Sequence, residues 1–234
     1  IKSEWKRKYK YVLIALSLLF LINLAVNFQY SGQKSDLLAI VLFVNTGLFF
    51  ISYISMFIIH VRNMNKLLFT NKGQFKFLLP ISSYKVLGAF LINVVLDVIL
   101  VSVTFGLVYF ISMNIYDKTL INEAIKAVKM LDKEILTTIP LTFTKSFVSY
   151  ASLLMTIFLA MILVKTLLYN KSFKKLISFV FFIIISSLNS MLMREIYNLL
   201  GSSLNIYTIL LVNCISLIIL YLFSGYLLEN KTSA

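Results

Sequence analysis

The chain has 234 residues, of which 60% are hydrophobic, 15% aromatic and only 13% charged. So few charges cannot cover the apolar surface of a soluble domain of this length, so composition excludes a water-soluble globular protein and makes lipid the solvent for most side chains. The formal net charge of +13, from 22 Lys and Arg against 9 Asp and Glu, does not point to nucleic acid: the basic residues flank apolar runs in short clusters, as topology signals do, and form no aromatic-interleaved basic surface.

In chain order, Ile1 to Lys10 sets Trp5 and Tyr9 among lysines and predicts a short interfacial elbow helix. Tyr11 to Phe28 is apolar apart from Ser17, Asn23 and Asn27, long enough to cross a hydrocarbon core of about 30 Å. It reads as a first span that acts as an uncleaved signal anchor. A polar turn with Gly32 leads to a second span, Leu37 to Val61, and His60 is expected to mark its end as an interfacial residue. Polar and apolar residues then mix from Arg62 to Lys85 before a third span, Val86 to Met113.

The segment 114–138 places Leu120, Ala124, Ala127, Val128, Leu131 and Ile135 at helical spacing among charges that cancel, which predicts an amphipathic helix lying on the outer face. Pro140 suits the first turn of a helix, and Leu141 to Leu168 makes a fourth span. Lys165, Lys171, Lys174 and Lys175 form a basic turn, Leu176 to Met193 a fifth span, Arg194 to Leu204 a polar turn, and Asn205 to Leu228 a sixth span. The expected fold is an all-α membrane protein: one transmembrane domain over 1–234, with six transmembrane helices and both termini on one side.

Charge fixes the orientation. With the N-terminus, the Arg62 to Lys85 segment, the Lys165 to Lys175 turn and Lys231 inside, fifteen basic residues face the cytoplasm. Lys34, Lys118, Lys126, Lys129, Lys133, Lys145 and Arg194 remain on the other side, against six acids. The positive-inside rule therefore places both termini and the segment 63–80 in the cytoplasm.

Few routes to catalysis exist in this composition. The seven glycines include no G-x-x-x-x-G-K-[ST] loop, so the chain does not bind ATP in the P-loop manner. One His and one Cys, Cys214, leave no metal-ligand set and no internal disulfide. No G-x-S-x-G elbow occurs, and the chain is not read as an enzyme.

Asp97 is the one acid deep in a span, and it must face protein or water. Asn93, Asp97 and Thr104 share a helix face, and Thr142, Lys145, Ser149, Ser152 and Thr156 form a similar stripe on the fourth span. Two readings stand: hydrogen-bonding glue between helices, or a polar translocation lining. Pairing of Asp97 with Lys145 is a hypothesis, supported if each single substitution impairs assembly and swapping the charges restores it.

Between Asn63 and Pro80, Leu67, Leu68, Phe69, Phe75, Phe77, Leu78 and Leu79 interleave with Asn65, Lys66, Asn71, Lys72, Gln74 and Lys76, and Gly73 marks a turn. Pro80 breaks the run before Ser82 and Ser83, either of which can cap the third span. Leu68-Phe69, Lys72-Gly73, Leu78-Leu79-Pro80-Ile81-Ser82 and Val86-Leu87-Gly88-Ala89 resemble the loop after the second span in the permease subunits of ABC type-2 exporters, particularly the small six-span forms of Gram-positive bacteria.

The Glu4 to Tyr11 stretch is similar to that family's N-terminal elbow. Two positions depart from it: Asn71 and Phe90 stand where many relatives have an acid and a lysine. The resemblance implies a coupling helix near Asn65 to Phe77. Asn65, Leu67, Leu68, Phe69, Lys72, Gly73, Phe75 and Phe77 would contact a separate cytoplasmic ATPase subunit that holds ATP and Mg, and the turn at Lys174 would make a second contact. It further implies dimerisation with a second permease and export of amphipathic or toxin-like peptides or other hydrophobic compounds. The alternatives are a non-transporting sensor or immunity subunit, and an ion-coupled carrier dependent on Asp97.

Overall fold

The computed structural model describes residues 34–70, 82–116, 126, 130, 133–167, 173–201 and 205–231. These residues are helical apart from short ends, with five long helices and no strand among them. The first, α1, runs Lys34–Phe69, past the break expected after Val61. Arg62 to Lys66 are polar apart from Met64, but they include good helix formers and neither Gly nor Pro, so nothing in the backbone stops the helix there. It ends where the Thr70 amide and hydroxyl both donate to the Lys66 carbonyl, at 3.3 and 2.6 Å.

Helix α2 spans Ser83–Tyr116. The carbonyl of Ser82 accepts from the amides of Lys85 and Val86, at 3.0 and 3.4 Å, and so closes its first turn. Helix α3 spans Lys133–Leu167 and carries Pro140 in its interior. The expected start at Pro140 is thus too late: the end of the segment read as a separate surface helix continues directly into the span. Proline lacks the amide that would bond Leu136, a loss that transmembrane helices tolerate.

Helix α4, Lys174–Leu200, outruns its expected end at Met193 and stops at Gly201, whose φ of 48° is left-handed and whose amide bonds the Tyr197 carbonyl. Helix α5 is Ile206–Lys231. Its start is a reciprocal cap, in which the Thr208 amide donates to Asn205 Oδ1 and the Asn205 amide to Thr208 Oγ1, both at 2.9 Å.

Each of the five helices contains a stretch long and apolar enough to cross a membrane: Phe43–Phe69, Ser83–Ile111, Thr137–Leu167, Leu176–Leu200 and Ile206–Asn230. These correspond to the expected second to sixth spans. The expected first span and the elbow lie outside the described residues, as do 71–81 and nearly all of 117–132.

The chain divides into two compact units, one drawn from Ile1–Met56 and Asp97–Leu131, the other from Phe57–Leu96 and Asp132–Ala234. In the first, α1 and α2 pair antiparallel. The hydroxyls of Thr46 and Tyr109 are hydrogen bonded, Phe49 meets Phe105 edge-to-face at 5.0 Å, and Tyr53 and Ser102 share a 3.3 Å hydrogen bond. Each step up one helix matches a step down the other, and Phe105 and Val108 are buried between the polar contacts.

The second unit is built on α3. Leu154, Phe158 and Ile162 form one cluster with Met64 and Leu68 of α1, Leu87 and Val94 of α2, and Leu228 of α5. Successive turns of α3 supply Met155 and Leu159 to a neighbouring cluster with Leu220 of α5 and the half-buried Ile185 of α4. A hydrogen bond of 3.0 Å from the Ser216 hydroxyl to Asn189 Oδ1 also ties α5 to α4. Outward faces are rich in Ile, Leu and Phe, including Ile58, Ile92, Ile183 and Ile218, the pattern of helices whose surroundings are apolar.

Candidate functional site

The best defined site in the second unit is the junction flanking residues 71–81, where α1 ends and α2 begins. Met64 and Leu68 on one flank and Leu87 on the other are all 0% exposed and belong to the same cluster. Met64 and Leu68 lie one turn apart on one face of α1, and His60 precedes them by another turn. The two flanks are therefore fixed to one rigid packing group, together with the end of α5 through Leu228.

A clasp reinforces the α2 flank. Tyr221 of α5 donates its hydroxyl proton to the Tyr84 carbonyl at 2.8 Å, and the two rings lie 6.1 Å apart. The Tyr84 ring lies so close to the backbone of α5 at Gly225 that an added Cβ would come within 2.3 Å of two ring carbons. Glycine is required there because the ring occupies the space of a side chain. Residues 137 apart in sequence make this contact, and nothing local in the sequence signals it.

His60 is the second feature missed by sequence reasoning. It is 1% exposed and packed inside the chain, and α1 continues beyond it through Phe69. Its ring meets Phe90 at 5.9 Å and 84°, and Tyr150 at 6.5 Å and 66°. Phe90 in turn stacks on Phe158 at 6.0 Å. The helix-face periodicity that puts His60 in line with Met64 and Leu68 was the available signal.

Of the expected partner-contact residues, Asn65 is half-buried, Leu67 and Phe69 pack partly against the core, and Leu68 is wholly inside it. Leu68 thus serves the chain's own packing. Lys72, Gly73, Phe75 and Phe77 lie outside the described residues. Lys174 begins α4, next to an exposed Phe173.

The expected lining residues divide between the units. Asp97 and Thr104 belong to the first, while Asn93, Lys145, Ser149, Ser152 and Thr156 belong to the second. The Asn93 amide donates to the Ala89 carbonyl of its own helix at 2.9 Å, and the Thr156 hydroxyl to that of Ser152, also at 2.9 Å. Both therefore satisfy themselves within a helix. Along α3 the stripe passes from exposed Thr142 and Ser149 to buried Thr156, so its members do not share one surface. Among the described residues, no three His, Cys, Asp or Glu side chains gather to hold a metal ion.

Together these features define a multi-span chain of membrane type, helical throughout its five long described elements, with a packed junction in its second unit. Compared with family models, curated proteins and solved structures, the chain matches none.

Proposed function

We propose that this chain is the transmembrane permease subunit of an ATP-driven exporter, moved by a separate cytoplasmic ATPase that engages the segment between α1 and α2. The observation that carries this reading is the anchoring of both flanks of residues 71–81 in one buried cluster. A load that reaches either flank passes into a cluster shared by four helices. The chain has no phosphate loop of its own, so the energy source is a partner that binds ATP and Mg, and ATP acts through contacts that differ between two states of the transporter.

In this reading the protein sits in the cell membrane with six spans, counting Tyr11 to Phe28, and both termini in the cytoplasm. A second permease copy or a paralogue completes the path. The cargo is an amphipathic peptide or another hydrophobic compound, in keeping with an apolar, aromatic-rich membrane domain. The partner contacts fall on Asn65, Lys72, Gly73, Phe75 and Phe77, while Leu68 holds the segment's root.

A photo-crosslinking amino acid at Phe75, in the full chain in its native membranes, tests the reading. The expected adduct is a polypeptide that carries nucleotide-binding motifs and hydrolyses ATP, and its yield changes when ATP is added. Adducts with lipid alone, unchanged by ATP, would contradict it.

A further inference from the structure

In the second unit, outward-facing side chains change character at one level on three helices. On α1, exposed Ile58 and Ile59 give way to exposed Arg62 and Lys66. On α2, exposed Lys85 precedes Ile92 and Leu96 on the same face. On α5, exposed Leu222 and Phe223 give way to Tyr226 and then Glu229. The level is common to the three because Met64, Leu87 and Leu228, each within two residues of these charges, meet in one buried cluster.

Arg62 and Lys66 stand four residues apart on α1, and both are exposed. Like charges at this spacing lie about 5–6 Å apart at Cβ and repel. An anion held between them removes that cost. Immediately below, Ile58 and Ile59 offer an apolar wall to a hydrocarbon chain. A cationic pair directly above exposed aliphatic side chains matches the two halves of an anionic phospholipid.

We propose that Arg62 and Lys66 form a binding site for the phosphate of an anionic phospholipid, with its acyl chains along Ile58 and Ile59. This places a lipid contact on α1 itself, on the face that carries Ile58, Arg62 and Lys66. It concerns the chain alone and stands apart from the export reading.

The test uses the full chain, purified in neutral detergent from vesicles of mixed phosphatidylglycerol and phosphatidylcholine, with retained lipid counted by native mass spectrometry. The wild-type chain is expected to retain phosphatidylglycerol preferentially. The double variant Arg62→Gln/Lys66→Gln should lower that preference by roughly tenfold or more, from two basic residues at the surface, whereas Arg62→Lys/Lys66→Arg retains it and Arg194→Gln has no effect. Equal retention by wild type and double variant would overturn the proposal. Displacement of the lipid by millimolar inorganic phosphate would also overturn it, since the site would then be one for free phosphate. Should the glutamine variant fail to fold, the salt dependence of the wild type decides: selective loss of phosphatidylglycerol at high salt supports the site, and retention unaffected by salt contradicts it.

Discussion

Tyr221 on α5 donates its hydroxyl to the backbone carbonyl of Tyr84 in the first turn of α2, at 2.8 Å. A helix carbonyl has two lone pairs, so it can accept this bond in addition to its place in the helix ladder. The contact joins α5 to the start of α2, and the junction becomes a property of α1, α2, α3 and α5 together.

Tyr221→Phe keeps the ring and removes only this bond. It should lower unfolding stability by about 0.5–1.5 kcal/mol, seen as a drop of a few degrees in the thermal midpoint in detergent. An unchanged midpoint would show that the bond contributes nothing.

At Gly225 the constraint is steric. A Cβ there would lie 2.3 Å from two carbons of the Tyr84 ring, so Gly225→Ala should cost roughly 1–3 kcal/mol, the range for overpacking. Tyr84→Ala in the same chain should recover most of the loss relative to the Tyr84→Ala background. Additive losses in the double-mutant cycle would mean that the ring and the glycine are not coupled.

Phe158 is the largest fully buried side chain among the described residues and belongs to one cluster with Leu154 and the α1 flank, with Phe90 stacked on it. Phe158→Ala should cost about 3–5 kcal/mol and Leu68→Ala about 2–5 kcal/mol, both measurable as loss of monodisperse, folded protein on heating. Lys66→Ala, on the exposed side of the same helix, should stay within about 0.5 kcal/mol. Equal effects from Leu68 and Lys66 would contradict the burial pattern.

The attachment of α4 rests partly on the hydrogen bond from Ser216 to Asn189. Ser216→Ala should weaken it by about 0.6 kcal/mol, the average for such bonds within a membrane, and should increase proteolysis at the turn around Gly201. Protection unchanged from wild type would assign the attachment to apolar packing alone.

The five described spans were legible because apolar runs of span length are written directly in composition, and α2 and α5 lie close to their expected positions. Helix ends were less legible. Arg62 to Lys66 and Arg194 to Leu200 look like turns by polarity, yet they lack a breaker and remain helical, while Pro140 looks like a start and lies inside α3. Polarity reports surroundings, whereas helix ends are set by backbone chemistry. The site was legible as a segment, not as a packing arrangement. Leu68 and Phe69 stand out as anchors in sequence, but only tertiary contacts show that Leu68 faces inward and that Tyr84 rests on Gly225.

The most direct measurement of the central claim is ATP hydrolysis by the complex purified through this chain, with and without an amphipathic peptide, for wild type and Phe75→Asp. Peptide-stimulated hydrolysis in the wild type, lost in Phe75→Asp while the thermal midpoint of the chain is unchanged, is the expected result. Stimulation that survives Phe75→Asp, or a purified wild-type complex that hydrolyses no ATP, would contradict coupling through the segment between α1 and α2.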